Sequence, residues 1–240
     1  MEKKIVLKKY LLILLFVIVT LLIIGYFLFQ LSKFRTFQFF GGLTARINTN
    51  QKVVALTFDD APTQKVQEVL TILKEKQVRA TFYEIGKGIN QYPEVAKAIV
   101  AAKMEVGNHS YSHERIVLKS LSFIDTEIQK TNELIRGSGY MGEITFRPPN
   151  GKKLIGLPWY LQQHSIKTIM WDVEPDTYSA GDSDAIVKYT LDHVQSGSII
   201  LLHPLCDKKC AADREALPKI IDTLRLKGYM FVTVSELLKY

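Results

Sequence analysis

Two adjacent carboxylates, Asp59 and Asp60, close the apolar run Val53-Val54-Ala55-Leu56-Thr57-Phe58. A strand that delivers two acids to its C-terminal edge makes either a turn or a site. In a turn, Asp60 or Thr63 would cap the helix that follows Pro62. The arrangement recurs downstream. Asn108-His109-Ser110-Tyr111-Ser112-His113 follows another strand-like run, with its imidazoles spaced H-x3-H. Two such rings can turn toward one point and, with a carboxylate, form a metal shell. The alternative is a polar loop with His109 packed and His113 solvated. In Phe146-Arg147-Pro148-Pro149-Asn150-Gly151 a guanidinium stands on a backbone stiffened by two prolines and turned at Gly151. A surface ion pair is the plainer reading of Arg147. Trp171-Asp172-Val173-Glu174-Pro175-Asp176 sets three acids beside an aromatic, and the run Ser198-Ile199-Ile200-Leu201-Leu202 presents His203 at its edge. His164 and His193 fall inside helical patterns and read as structural.

The elements that must carry these groups alternate between two periodicities. Strand-like runs cover 53–58, 80–85, 104–107, 144–146, 168–173, 198–202 and 230–234, with helical patterns at 64–76, 93–103, 120–136, 158–164, 184–196 and 214–227. Six βα repeats and a closing strand predict parallel pairing with helices outside. No fixed-period repeat points to a solenoid, and no G-x-G-x-x-G opens the first helix as a dinucleotide fold would require. Chemistry at the ends of several strands is the pattern of a barrel. The predicted fold is α/β, a distorted (β/α) barrel of about seven parallel strands preceded by one transmembrane helix.

Apolar and charged fractions of 47% and 23% over 240 residues are those of a globular chain. Of the formal net charge of +7, +5 falls within residues 1–36, where Lys3, Lys4, Lys8, Lys9, Lys33 and Arg35 face Glu2 alone. So little excess charge is left for the rest that no nucleic-acid partner is expected. Residues 10–32 carry no charged side chain and can cross the roughly 30 Å of a bilayer core. A secretory signal would have a shorter apolar region and a small-x-small cleavage site, which Phe27-Leu28-Phe29-Gln30-Leu31-Ser32 does not offer. The leading lysines predict residues 1–9 as a cytoplasmic tail, with 10–32 as a membrane anchor, 33–51 as a stalk and 52–240 as a folded extracytoplasmic domain.

With T-F-D-D at 57–60, H-S-x-x-H at 109–113, R-P-P-x-G at 147–151 and L-L-H at 201–203, in that order, residues 52–240 resemble the polysaccharide deacetylases of carbohydrate esterase family 4. These hydrolyse N-acetyl groups of peptidoglycan, chitin-like or exopolysaccharide chains. The resemblance implies Asp59 as catalytic base, Arg147 as its partner, His203 as catalytic acid, and Asp60, His109 and His113 as ligands of one divalent metal. Zinc is the first expectation, with cobalt, nickel or manganese as alternatives. Two departures stand out. Ala61 replaces the family's usual Gly, so a positive φ there would cost about 1 kcal/mol. The fourth motif, usually D-x-x-D-W, reads Glu174-Pro175-Asp176-Thr177-Tyr178, which leaves open whether Glu174 or Asp176 tunes His203; Asp172 fits family position least.

Amide hydrolysis needs an activated water, a polarised carbonyl and a protonated leaving amine, and these groups match the three needs. Asn150, in the rigid R-P-P-N-G loop, is the candidate backbone donor to the developing oxyanion. Cys206 and Cys210, past His203, either close a disulfide at the rim or stay free. A catalytically weak glycan-binding scaffold and an amidase for a non-sugar acyl amide are the rival functions.

Overall fold

The protein is described by a computed structural model that covers residues 2–179 and 181–240. Seven strands run β1 Leu43–Thr44, β2 Val53–Ala61, β3 Thr81–Glu84, β4 Glu105–Asn108, β5 Thr168–Ile169, β6 Ile199–Leu202 and β7 Met230–Val232. The helices are α1 Glu2–Ser32, α2 Val66–Glu75, α3 Gly86–Gln91, α4 Pro93–Ala101, α5 Leu121–Gly137, α6 Gly156–Gln163, α7 Pro175–Tyr178, α8 Ser183–His193, α9 Ala211–Leu226 and α10 Val234–Leu237.

The longest strand, β2, organises the rest. It pairs in parallel with β6 along one edge, through Ala55 to Phe58. Its other edge takes β7 at Val53 to Ala55 and then β3 from Thr57 onward, and β3 in turn pairs with β4. Burial on both faces, expected of a parallel strand covered by helices, accounts for its almost continuous apolar run. Strand alternation then sorts its side chains. Val54, Leu56 and Phe58 join a core beneath the helices with Val69, Ile99 and Leu217. Val53 and Ala55 face inward with Tyr83, Ile169, Trp171 and Leu201. Thr57 and Asp59 continue the inward row, so the same alternation that buries the core aims Asp59 into the barrel.

The predicted strand at 144–146 is reduced to Phe146, which bridges Asn108 on one side and Thr168 on the other. With a further bridge between Val173 and Ile200, single residues rather than continuous strands complete the ring on that side, and the barrel is distorted there. The expected stalk at 33–51 is also different. Residues 43–44 form β1 beside β5, Arg46 bridges Ser198, and Ala45 is buried. The local sequence shows no strand because this segment gains its pairing only from residues more than a hundred positions away.

Glu84, at the end of β3, falls by alternation on the helix side with Phe82. It is 1% exposed, neither of its oxygens has a hydrogen-bond partner among the described residues, and burial pushes its carboxyl up to about 8. The folded chain therefore binds a proton that the unfolded chain releases above about 4.5, so stability falls as pH rises from there to about 8. Glu84→Met should raise the unfolding free energy by about 1–3 kcal/mol at pH 8.5, and by much less at pH 5. Urea unfolding at the two pH values measures this; an equal change at both would refute the assignment.

Candidate active site

The strand ends of β2, β4 and β6, with the loops after Phe146 and Trp171, converge on one cavity of about 480 Å³. Asp59 is buried, and its Oδ1 accepts from Arg147 Nη1 at 2.7 Å. Burial acts most strongly on this carboxyl and pushes its pKa up, but the charges of Arg147, His109 and His203 outweigh it and hold it below the usual range. Arg147 is not on the surface at all. It is fully buried, with Nη1 also donating to Thr57 Oγ1 at 2.9 Å and Nη2 to the carbonyl of Met170 at 3.2 Å. Its guanidinium lies 4.0 Å from the Tyr83 ring and 5.4 Å from that of Trp171. A Cβ at Gly107 would come within 2.6 Å of Tyr83 Cδ1, so glycine there is what lets this ring lie under the guanidinium.

Asp60 does not cap the next helix; Thr63 Oγ1 accepts from Lys65 N at 3.2 Å just before it and donates to the carbonyl of Leu205. The positive φ feared for Ala61 falls on Asp60, at 64°, a conformation an Asp side chain tolerates better than most. Asp60 Oδ1 stands 3.4 Å from His113 Nε2 and 3.9 Å from His109 Nε2. The H-x3-H segment is not helical; it is a loop fastened by buried polar groups. Asn108 Oδ1 accepts from Ser110 N at 2.7 Å, Ser110 Oγ from His113 N at 3.0 Å, and Glu127 Oε2 from the backbone of Tyr111 and Ser112. His109 Nδ1 donates to the carbonyl of Arg147 at 2.8 Å, which turns Nε2 toward Asp59 Oδ2 at 3.5 Å and Asp60 Oδ1 at 3.9 Å. Burial, and then His109, lower the pKa of His113, which keeps that ring neutral at neutral pH.

These three residues fit a divalent metal. Their ligand atoms lie within 4.8 Å of one another, and Asp60 Oδ1 is buried without a hydrogen-bond partner among the described residues. Such an orphaned acceptor facing two imidazole nitrogens is a donor set that a cation completes. Four residues here, Asp60, Ser110, His113 and Asn150, hold φ between 56° and 66°.

Across the cavity, His203 Nδ1 meets Asp176 Oδ2 at 2.8 Å, and the same oxygen accepts from the His203 backbone N–H at 2.7 Å. Burial pulls the imidazole down, but the hydrogen bond and charge of Asp176, with Asp59 and Asp60, raise it to about 9. Asp176 is thus the acid that touches His203. Glu174 instead ion-pairs with Arg35 and accepts from Trp171 Nε1 at 3.1 Å. Asp172 accepts from Ser198 Oγ and Ile199 N, both at 2.8 Å, a purely structural use. Asn150 lines the cavity with φ 56°. Cys206 and Cys210 are joined, with Cα atoms 5.3 Å apart, and Arg214 gathers the carbonyls of Pro204, Cys206 and Asp207 beneath them.

Sequence reasoning missed Tyr83, Glu127, Arg35 and Asp213. Glu127 could have been found: Ile124, Ile128, Thr131 and Ile135 make the buried face of α5, and an acid at 127 stands on that face. Asp213 is buried, and its carboxyl is raised to about 6 by burial and then by Asp176.

A parallel barrel with paired acids, imidazoles and a buried Arg at its strand ends defines a hydrolase fold, and residues 46–169 match the family model of polysaccharide deacetylases. The chain belongs to that family. It is 33% identical over 194 residues to the peptidoglycan-N-acetylmuramic acid deacetylase PdaC of Bacillus subtilis, covering 80% of this chain and 40% of that one. A peptidoglycan-N-acetylglucosamine deacetylase of Bacillus cereus is 32% identical over 191 residues, 78% of this chain and 69% of that protein. Among solved structures, the Bc1960 peptidoglycan N-acetylglucosamine deacetylase superposes with a TM-score of 0.76 at 29% identity, over 80% of this chain and 91% of that one. The wild-type BA3943 of Bacillus anthracis, a pseudoenzyme of the same family, superposes with a TM-score of 0.73 at 31% identity over 81% and 68%.

Proposed function

We propose that this protein is a membrane-anchored, metal-dependent hydrolase that removes N-acetyl groups from an N-acetylated glycan of the cell envelope. The observation that carries this reading is one cavity in which the Asp59–Arg147 pair and the Asp176–His203 pair both adjoin the Asp60, His109 and His113 cluster. Zinc, held by those three side chains, would supply Lewis-acid polarisation of the acetyl carbonyl and a more acidic attacking water. Asp59, kept ionised by Arg147, takes a proton from that water as its oxygen bonds to the carbonyl carbon. His203, charged below about pH 9, gives its Nε2 proton to the sugar nitrogen as the C–N bond breaks. Acetate and a free amine leave, and base and acid have opposite protonation because their environments differ. The peptidoglycan deacetylases among the relatives support an envelope glycan as substrate. Incubating the full chain in detergent with zinc and each of peptidoglycan, chitin oligomers and an exopolysaccharide, then measuring acetate, tests the reading.

A second reading, a glycan-binding scaffold without activity, is favoured by the likeness to the BA3943 pseudoenzyme. It requires wild type to bind glycan and release no acetate from any of the three.

The anchor is the exposed apolar helix over Val6–Ser32, with mean hydropathy 3.1. Its end is held against the domain, because Ser32 and Phe34 carbonyls accept from Lys153 N and Nζ at 3.0 and 2.5 Å, which supports retention of the helix over its removal as a signal. Protease added to intact protoplasts should degrade residues beyond the helix while leaving cytosolic markers whole. Full protection would invert the orientation.

A further inference from the structure

Lys33 is the first residue beyond the membrane helix, and it lines the same cavity as Asp59, His109 and His113. That proximity is not incidental to a loose tether. Lys153, which binds the carbonyls of Ser32 and Phe34, is 2% exposed and follows Lys152, another lining residue, directly. The helix end is therefore clamped to the wall of the site, so with that helix in a bilayer the site lies beside the membrane.

Lys33, Arg35 and Lys152 line this mouth beside the carboxylates of Asp59, Asp60 and Glu174. Lys33 and Lys152 both approach the Phe29 ring, at 3.8 and 5.4 Å. Arg115 stands close enough that, after burial, its charge and that of Lys33 push Lys152 below its ordinary pKa. Among the described residues none of these three cations pairs with a carboxylate, whereas Arg35 beside them is taken by Glu174. Uncompensated cations gathered at low separation repel one another, and an arrangement of this kind is relieved by an anion. Phe34 and Phe37, just past the helix end, are exposed, as are Ile155 and Trp159 a few residues after Lys153, which suits contact with the apolar–polar boundary of a bilayer.

Resting on the deacetylase and anchor readings above, we propose that the glycan taken by this site is carried on the membrane by a lipid phosphate. Lys33 and Lys152 receive the phosphate while the acetamido sugar reaches Asp59.

The test uses full-length protein in lipid discs and one glycan in three forms: N,N′-diacetylchitobiose on a polyprenyl pyrophosphate, diacetylchitobiosyl 1-phosphate, and the neutral disaccharide. Acetate release should give a kcat/KM at least about tenfold higher for the lipid-carried form than for either soluble form. In Lys33→Gln/Lys152→Gln the ratio of lipid-carried to neutral kcat/KM should fall at least about fivefold. Equal rates on all three forms, or a ratio untouched by the double substitution, overturns the proposal; equal use of the soluble phosphate and the lipid-carried form overturns the lipid carrier. If no form releases acetate the deacetylase reading fails instead. Binding of fluorescently labelled lipid-carried disaccharide then decides the subsite, with about tenfold weaker binding by the double variant in its favour and equal binding against it.

Discussion

Asp59→Asn should lower acetate release by at least about 10² to 10⁴-fold while glycan binding survives. The substitution keeps the size of the side chain and a partner for Arg147 but removes the proton acceptor. Because Arg147, His109 and His203 together hold Asp59 below the usual carboxylate range, the wild-type base is ionised throughout neutral pH, so the loss is one of chemistry and not of protonation state. The other limb of the pH profile belongs to the pair across the cavity. His203 must be protonated, and with a pKa of about 9 its alkaline limb should lie near pH 9. Asp176→Asn removes the largest upward influence and should move that limb down toward about 6.5, an effect on the profile that loss of packing would not produce. These limbs are macroscopic and shared among coupled groups. Near-wild-type turnover by Asp59→Asn would sink the mechanism even with family membership intact.

The second large effect is on metal. His109→Ala/His113→Ala leaves Asp60 as the lone ligand, and bound zinc, measured by elemental analysis after dialysis, should fall from about one per chain to below about a tenth. Both imidazoles follow β4 on a loop outside the helices and strands, and although His109 is buried, the secondary structure read by circular dichroism should change little. The double variant holding stoichiometric zinc would remove these residues from the ligand set.

Much of this site was legible because a strand's period is two and its end is a fixed place. Apolar 53, 55 and the inward Thr57 lead directly to Asp59, and the H-x3-H and R-P-P-N-G segments each lie at such an end. The choice between Glu174 and Asp176 was not legible, since it depends on the one-turn helix α7, which turns Asp176 back to the edge of β6. The aromatic support of Arg147 and the folding of 33–51 onto the barrel depend on contacts between residues far apart in the chain, for which local pattern carries no signal. The apolar helix and the domain were separate in the sequence by a composition change, yet Lys153 joins them.

The left-handed backbone at Asp60, Ser110, His113 and Asn150 has a consequence for how such a protein can change over time. Each non-glycine residue held there costs roughly 1 kcal/mol relative to glycine, and the cost is borne for the sake of the side chain. Asp60→Gly or His113→Gly would therefore give back backbone energy in the same step that deletes a side chain of the proposed metal site. Mutational drift is biased toward loss at these positions, because the first steps away from activity yield a sturdier chain. Inactive descendants of this architecture should be easy to reach and hard to reverse without a cost in folding.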